Sequence, residues 1–405
     1  MRRRRRKNDE EPRLGRPHLP SLLGGMTVER FLREHWQKKP LLVRGALPRF
    51  RDPITPDALA GLACEDDVES RLVRGDAARP RSWKVTWGPQ EEARFATLPE
   101  RRWTLLVQEV NRWVPAAALL LEPFGFLPNV RVDDVMVSFA APGGSVGPHV
   151  DSYDVFLVQG RGERRWMFHD APTKDTRLVP GLDLRVLAAF EADVDEVLGP
   201  GDMLYLPPGF AHHGVAVTPC LTYSVGFRAP SAGEAWIAFA SSLAKRPDAA
   251  RVLEDPPFTP ATNPGAIPPL LLARAREMIR SLDLSDDAID RWFASFTTQL
   301  RPGHSFEAPR RGPDARTIAT RIARGDPVVR SEEGRWAFLD HHREPLLLYV
   351  GGNEIEVPAS AADLARGLCT SRRHTNTTLQ KQTRSRAART LLVHLFTIGA
   401  LRFAR

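Results

Sequence analysis

The amino-acid sequence predicts an α+β protein whose larger part is a double-sheet jelly roll, also called a double-stranded β-helix. Two textures and one placement carry that expectation. Between Val135 and Phe227, short β-rich runs alternate with glycine and proline, and after Pro230 the apolar spacing becomes helical. Side chains able to bind a metal stand at the ends of the β-runs, where a jelly roll keeps its site. At 405 residues the chain exceeds one hydrophobic core, so two or three domains are expected.

Residues 1–19 open with Arg2-Arg3-Arg4-Arg5-Arg6-Lys7, run into Asn8-Asp9-Glu10-Glu11 and continue with prolines, the composition of a disordered basic arm. No apolar stretch follows the arginines, as a secretory signal requires. The longest apolar run, Ala116 to Leu121, is far too short to cross a bilayer. A cytoplasmic protein with no membrane partner is expected. The arm supplies much of the net charge of +8 and offers a weak contact to ribosomal RNA through counterion release, although a solvated tail is the plainer reading. Apolar residues at 42% and charged residues at 26% fit ordinary globular folding. Cys64, Cys220 and Cys369 are scattered without CxxC pairing, which points away from a zinc site or a disulfide framework and toward buried thiols.

Ordered structure is expected from about Leu22. Thr27 is placed to cap a short helix with Val28, Phe31 and Leu32 on one face. Val135 to Phe139, Val155 to Gln159, Arg165 to Phe168, Met203 to Leu206 and Leu221 to Val225 then read as strands. Beyond Pro230, Ala235, Trp236, Phe239 and Leu243 share a helical face, as do Leu271, Ala275, Met278 and Leu282. Ser285 can cap a third helix carrying Ile289, Trp292, Phe293 and Phe296 as an apolar stripe. That stripe packs against another helix of the chain or forms a dimer contact. Asp255 to Pro269 reads as a long connection. A boundary is expected near Arg301-Pro302-Gly303, after which a small α+β domain closes the chain.

His149 and Asp151 are two residues apart in Gly147-Pro148-His149-Val150-Asp151, so in extended backbone both side chains emerge on the same side. Pro207-Pro208-Gly209 forces a turn after Met203 to Leu206 that returns His212 toward them. Two imidazoles and one carboxylate on one face of a metal are the ligand set of mononuclear ferrous enzymes, with the opposite positions open for dioxygen and a cosubstrate. Oxidation is therefore the expected chemistry. His213 competes with His212, because neighbours on a strand point in opposite directions; the position in the motif favours His212. Arg164 shares parity with Trp166 and Phe168, and an inward arginine among apolar neighbours calls for an anion, best a carboxylate. The alternative is an outward Arg164 with Arg165 inward. His169, His304, His341, His342, His374 and His394 match no ligand spacing and receive no catalytic role.

The segment from Gly143 through His149 and Asp151 to Phe156, the turn Pro207 to His212, and Tyr223-Ser224-Val225-Gly226-Phe227-Arg228-Ala229-Pro230 closely resemble the bacterial JmjC-type ribosomal oxygenases. The match covers most of residues 20–230 and is weaker beyond. The resemblance implies a JmjC, cupin-like catalytic domain over 20–230, a helical dimerisation segment over 231–300 and a winged-helix-like domain over 301–405. It implies ferrous iron on His149, Asp151 and His212, with 2-oxoglutarate and dioxygen as cosubstrates. Arg164 is expected to pair with the distal carboxylate of 2-oxoglutarate. The substrate implied is an arginine of large-subunit ribosomal protein L-sixteen, hydroxylated by a homodimer. Asp134 would pair with the guanidinium, Met136 and Tyr153 would flank its stem, and Ser224 would hydrogen-bond to it; plain core packing is the alternative for Met136 and Tyr153. His213, where relatives often carry an acidic residue, and the long arginine arm depart from the family pattern. Competing functions are hydroxylation of a histidine in another ribosomal protein, demethylation of a methylated lysine or arginine, and a non-catalytic jelly roll with a winged helix that binds nucleic acid.

Overall fold

The computed structural model describes residues 19–404, apart from 77, 258, 261, 262 and 341–344. The expected basic arm and the His341-His342 pair therefore lie outside the described residues, His341 and His342 entirely and the arm up to residue 18. After Ala229 the chain divides into two compact units.

The first unit is built on twelve strands: β1 (Leu41–Val43), β2 (Ser70–Asp76), β3 (Arg79–Trp87), β4 (Trp103–Val107), β5 (Val132–Ala140), β6 (His149–Val150), β7 (Asp154–Gln159), β8 (Arg164–Phe168), β9 (Val194–Leu198), β10 (Met203–Leu206), β11 (Ala211–Ala216) and β12 (Cys220–Phe227). They form an eight-stranded sheet in the order β1-β10-β7-β12-β5-β4-β2-β3 and a four-stranded sheet in the order β6-β11-β8-β9. Neighbouring strands in both sheets are antiparallel. This is the jelly roll expected from the spacing of the β-runs.

The large sheet is buried on both faces, which is why its central strands read as continuous apolar runs. Phe156 and Val158 of β7, and Met203 and Tyr205 of β10, pack with Leu22, Phe31, Leu59 and Phe124 from the helical side. Their neighbours Val155, Leu157, Leu204 and Leu206 turn the other way and meet Trp166 and Phe168 of the small sheet. The two-residue period assigns each side chain its layer. Thr27 caps the helix Val28–Glu34, its hydroxyl accepting the Arg30 N–H at 3.2 Å. That cap aims the fully buried Phe31 at Tyr205, with ring centroids 5.2 Å apart. Burial of such a side chain stabilises the fold by about 2–3 kcal/mol.

The β-structure begins well before Val135. Strands β2, β3 and β4 extend the large sheet by three members, yet Arg71, Arg74, Arg79, Arg81 and Lys84 break their apolar pattern. Leu72 and Leu105 still join the helical-side core, and Val73, Trp83 and Leu106 pack with Val179 and Val186, while Arg74, Arg79, Arg81 and Lys84 take exposed positions.

The second unit opens with the helices Ala232–Leu243, Pro269–Arg280 and Asp286–Thr298. Ser285 caps the third, as its sequence implies. The faces differ from expectation: Phe239 and Leu243 are buried while Trp236 is 64% exposed. On the third helix Ala294, Thr297 and Thr298 turn inward, leaving Ile289 and Phe293 exposed. Ser242, Thr297 and Thr298 satisfy their hydroxyls on carbonyls of their own helices, so small polar residues can take the inner face at no cost in lost hydrogen bonds. Trp292 packs between Phe239 and Phe296, at 5.0 and 5.2 Å.

The rest of this unit carries β13 (Val328–Arg330), β14 (Trp336–Leu339), β15 (Leu346–Val350), β16 (Asn353–Val357), β17 (Arg373–His374) and β18 (Leu401–Phe403), in two three-stranded sheets, β17-β13-β18 and β14-β15-β16. Helices Ala315–Arg324, Ala359–Thr370, Asn376–Gln382 and Arg386–Thr397 surround a core that includes Ile318, Val328, Trp336, Leu348, Leu364 and Leu392. Cys220 and Cys369 are buried and Cys64 is half-buried, all three as free thiols. No helix among the described residues is long and apolar enough to cross a membrane.

Candidate active site

Strands β6 and β11 place the first two candidate ligands face to face. Their register pairs His149 with His212, and the imidazole centroids stand 4.3 Å apart. Gly147 and Gly209, with φ of +82° and +86°, make the two turns that deliver the chain to these strands; an L side chain is strained in that region. The Gly209 N–H donates to the Asp151 carbonyl at 2.9 Å, tying the two motifs through backbone. The Asp151 carboxylate then lies 3.5 Å from His212 Nε2 and 3.9 Å from His149 Nε2. The ligating atoms of all three residues fall within 4.8 Å of one another.

Both imidazoles are oriented by the backbone. His149 Nδ1 lies 2.9 Å from the Gly147 carbonyl and His212 Nδ1 lies 3.0 Å from the Phe210 carbonyl. A carbonyl only accepts, so each Nδ1 carries the proton and each Nε2 keeps its lone pair. That is the outer hydrogen bond metal-binding histidines use to fix their tautomer. Burial first, and then the neighbouring His149, lowers the His212 pKa to about 4, so the ring is neutral at physiological pH and ready to bind a cation. His213 points to the opposite face of β11, where it is buried under Phe190 at 6.3 Å between rings, and it does not join the cluster.

Arg164 is inward and Arg165 outward, in the alternation of β8: Arg164, Trp166 and Phe168 are buried, while Arg165 is exposed and pairs with Asp195. Arg164 Nη1 donates to Ser138 and Thr222, each at 3.2 Å, and the guanidinium sits 5.5 Å from the Trp166 ring. Its buried Nε–H has no partner, and among the described residues no carboxylate lies within ion-pair distance. A buried guanidinium held by neutral groups, with no carboxylate beside it, is an anion-binding arrangement. Ser138 and Thr222 were not singled out from the sequence. They are opposite each other in the β5–β12 register, on the same faces as Met136 and Ser224, so strand parity was the signal that could have found them.

Met136 and Ser224 form the next cross-strand pair, and Asp134 lies two residues further along β5 on the same face. Asp134 is buried and its Oδ2 accepts the Glu109 N–H at 2.8 Å. Tyr153 is half-buried against the layer between the sheets. Burial raises its phenol pKa, and the nearby charges of Asp151 and then Asp134 raise it further.

Residues 119–235 match the family model of the JmjC domain, and residues 277–402 match that of the ROXA-like winged helix. The chain is 40% identical over 300 residues to the ribosomal protein uL16 3-hydroxylase of Escherichia coli (strain K12), covering 74% of this chain and 79% of that protein. The chain belongs to the JmjC-type ribosomal oxygenases. This oxygenase superimposes on the X-ray structure of E. coli ycfD with a TM-score of 0.80 at 35% identity, covering 94% of this chain and 98% of the other. A second structure, YcfD from Escherichia coli in complex with cobalt and 2-oxoglutarate, aligns with a TM-score of 0.77 at 34% identity over 94% and 99% of the two chains. The jelly roll and the closing winged helix are thus features of the family to which this oxygenase belongs.

Proposed function

We propose that this oxygenase uses ferrous iron, 2-oxoglutarate and dioxygen to hydroxylate an arginine side chain of large-subunit ribosomal protein L-sixteen. The observation that carries the proposal is the pairing of a two-histidine, one-carboxylate cluster with a buried arginine that has no carboxylate partner. His149, Asp151 and His212 would hold the iron, whose chemistry when bound is the activation of dioxygen together with oxidative decarboxylation of 2-oxoglutarate to succinate and carbon dioxide.

The chain's own residues position the reactants. Arg164 is four residues along β8 from Phe168, the partner of His212, and on the same face. A strand rises about 13 Å over that distance, a gap that an arginine side chain and a five-carbon dicarboxylate fill together. Charge-assisted hydrogen bonds from Nε and Nη of Arg164 would anchor the distal carboxylate. The planar fork is fixed beforehand by Ser138 and Thr222, so little ordering remains to be done on binding. Asp134 would accept the substrate guanidinium, with Met136 and Tyr153 along its stem and Ser224 as a hydrogen-bond partner, leaving the target carbon near the cluster. The similarity to a protein named as a uL16 3-hydroxylase supports this choice of substrate.

The same reading makes the oxygenase a cytoplasmic homodimer joined through residues 231–300. The exposed Trp236, Ile237, Ile267 and Ile279 of that segment support it, because apolar side chains gathered there would be covered by a second copy. By its charge, the N-terminal arginine run would make weak contact with ribosomal RNA.

The test is intact-mass analysis of recombinant L-sixteen, or its arginine-containing peptide, incubated with enzyme, ferrous iron and 2-oxoglutarate under air. A gain of about sixteen daltons that disappears with His149→Ala is expected. Consumption of 2-oxoglutarate with no mass gain overturns the substrate, and release of formaldehyde in place of a stable adduct overturns hydroxylation in favour of demethylation.

A further inference from the structure

We propose that the helix–turn–helix made by Asn376–Gln382 and Arg386–Thr397 is a docking surface for the phosphodiester backbone of duplex RNA. The choice of RNA rests on the proposed ribosomal-protein substrate; the surface itself is read from charge and geometry.

Beyond the N-terminal arm, the positive charge of this oxygenase gathers at its C-terminal end. Residues 364–405 hold eight arginines and Lys381 but no aspartate or glutamate. Taking these nine from the chain's 57 basic residues leaves 48 against 49 acidic ones, so the rest of the molecule is close to neutral. Some of these are already neutralised: Arg366 pairs with Asp340 and Asp363, and Arg372 pairs with Glu332. Lys381, Arg384 and Arg386 are exposed, and among the described residues no carboxylate lies within ion-pair distance of them. Arg389 adds a fourth cation by donating to the Thr383 and Arg384 carbonyls of the turn.

This placement works against the helix that bears it. Ser385 caps the twelve-residue helix Arg386–Thr397, and its hydroxyl accepts the Ala388 N–H at 3.0 Å. Arg386 and Arg389 then put cations on the first turn, where the helix dipole is already positive. The dipole at that end disfavours the exposed Arg386 and favours an anion, which would meet the cations gathered there. The opposite face is fully used by Leu391, Leu392, Leu395 and Phe396 in the core. The outer face carries Arg386, Thr390, His394 and Thr397, all exposed and none acidic. In helix–turn–helix proteins the start of the second helix and the turn before it are the parts that reach nucleic acid. Contacts to phosphate alone are independent of sequence, which suits a surface that only positions the enzyme.

The test uses the full chain and a labelled RNA hairpin duplex, with binding followed by fluorescence anisotropy between 50 and 200 mM salt. The triple variant Lys381→Gln/Arg384→Gln/Arg386→Gln is compared with wild type and with a variant whose Arg2 to Lys7 run is replaced by glutamine, so that the arm is scored separately. The triple variant is expected to bind at least about tenfold more weakly, with the slope of log K against log salt shallower by about two to three. Arg384→Gln alone, in the turn, should reproduce about a third of the change, and thermal melting checks that each variant is folded. Unchanged affinity and slope overturn the proposal. Tighter binding to a DNA duplex overturns the assignment to RNA, and polyglutamate binding in place of RNA assigns the surface to an acidic protein instead. Wild type that hydroxylates L-sixteen but does not bind RNA overturns the docking surface alone. Wild type that binds RNA but leaves L-sixteen unmodified overturns the substrate alone.

Discussion

His149 and His212 stand opposite each other on antiparallel strands, with Nδ1 of each turned to a backbone carbonyl two residues upstream, Gly147 or Phe210. The same local bond, repeated on both strands, points two Nε2 lone pairs at one position. Asp151 completes the cluster because Gly209 holds its carbonyl in place. The geometry is thus set by three backbone contacts.

Removing a ligand should therefore differ from removing an orienting partner. Asp151→Ala is expected to lower iron occupancy and turnover together, by more than the 10- to 100-fold typical of outer hydrogen-bond partners. Metal analysis of the purified variant beside its turnover rate checks this. Full occupancy in an inactive Asp151→Ala protein would remove Asp151 from the ligand set. Chelation of wild type should abolish turnover, and added ferrous iron should restore it.

Asp134→Asn keeps an oxygen for the Glu109 N–H but removes the charge. Losing a charge-assisted hydrogen bond of about 1.5–3 kcal/mol should raise the KM for the L-sixteen peptide on the order of 10- to 100-fold. Iron content and the 2-oxoglutarate requirement should stay as in wild type. A parallel loss of iron would defeat the substrate role of Asp134.

Arg164→Met should raise the KM for 2-oxoglutarate on the order of 100-fold, because the carboxylate loses a charged partner in a buried site. Arg164→Lys should recover only part of that, since a point charge cannot use the fork held by Ser138 and Thr222. Titration of 2-oxoglutarate at saturating peptide reads both variants, and an unchanged KM removes Arg164 from the cosubstrate site.

Gly214→Ala tests the support beneath Arg164. A Cβ there would lie 2.7 Å from the Trp166 ring, which is buried and carries the Arg164 guanidinium on its face. Overpacking of this kind costs about 1–3 kcal/mol. A lowered melting temperature should accompany a raised 2-oxoglutarate KM; a stability loss with unchanged KM would show that Trp166 does not position Arg164.

The second unit should weaken in mild acid through His374. Burial first, and then the charge of Arg330, lowers its pKa to about 4 in the folded protein, below the usual 6.5. A base whose pKa is depressed on folding supplies full stability above its unfolded pKa, and loses it as pH falls from about 6.5 toward 4. The most this one group can contribute is about 3 kcal/mol. Thermal melts across that window should fall less steeply in His374→Gln, and identical slopes would show that other groups carry the acid sensitivity.

The sequence by itself determined the local and periodic features. The Thr27 and Ser285 caps, the strand runs around Val155 and Met203, the His149/Asp151 spacing and the shared parity of Arg164, Trp166 and Phe168 all depend on residues within a few positions of one another. The tertiary structure alone decided what lies opposite what. Ser138 and Thr222 meet Arg164 because β5 and β12 are brought to β8 from 26 and 58 residues away, and no local pattern records that pairing. His213 was separated from His212 only by the face of β11 that the metal cluster occupies. Strands β2 to β4 escaped notice because their exposed arginines interrupt the apolar period, and they are held by ladders to neighbours rather than by a pattern of their own. Periodicity survives in sequence because it is a property of one backbone segment; register and face belong to two.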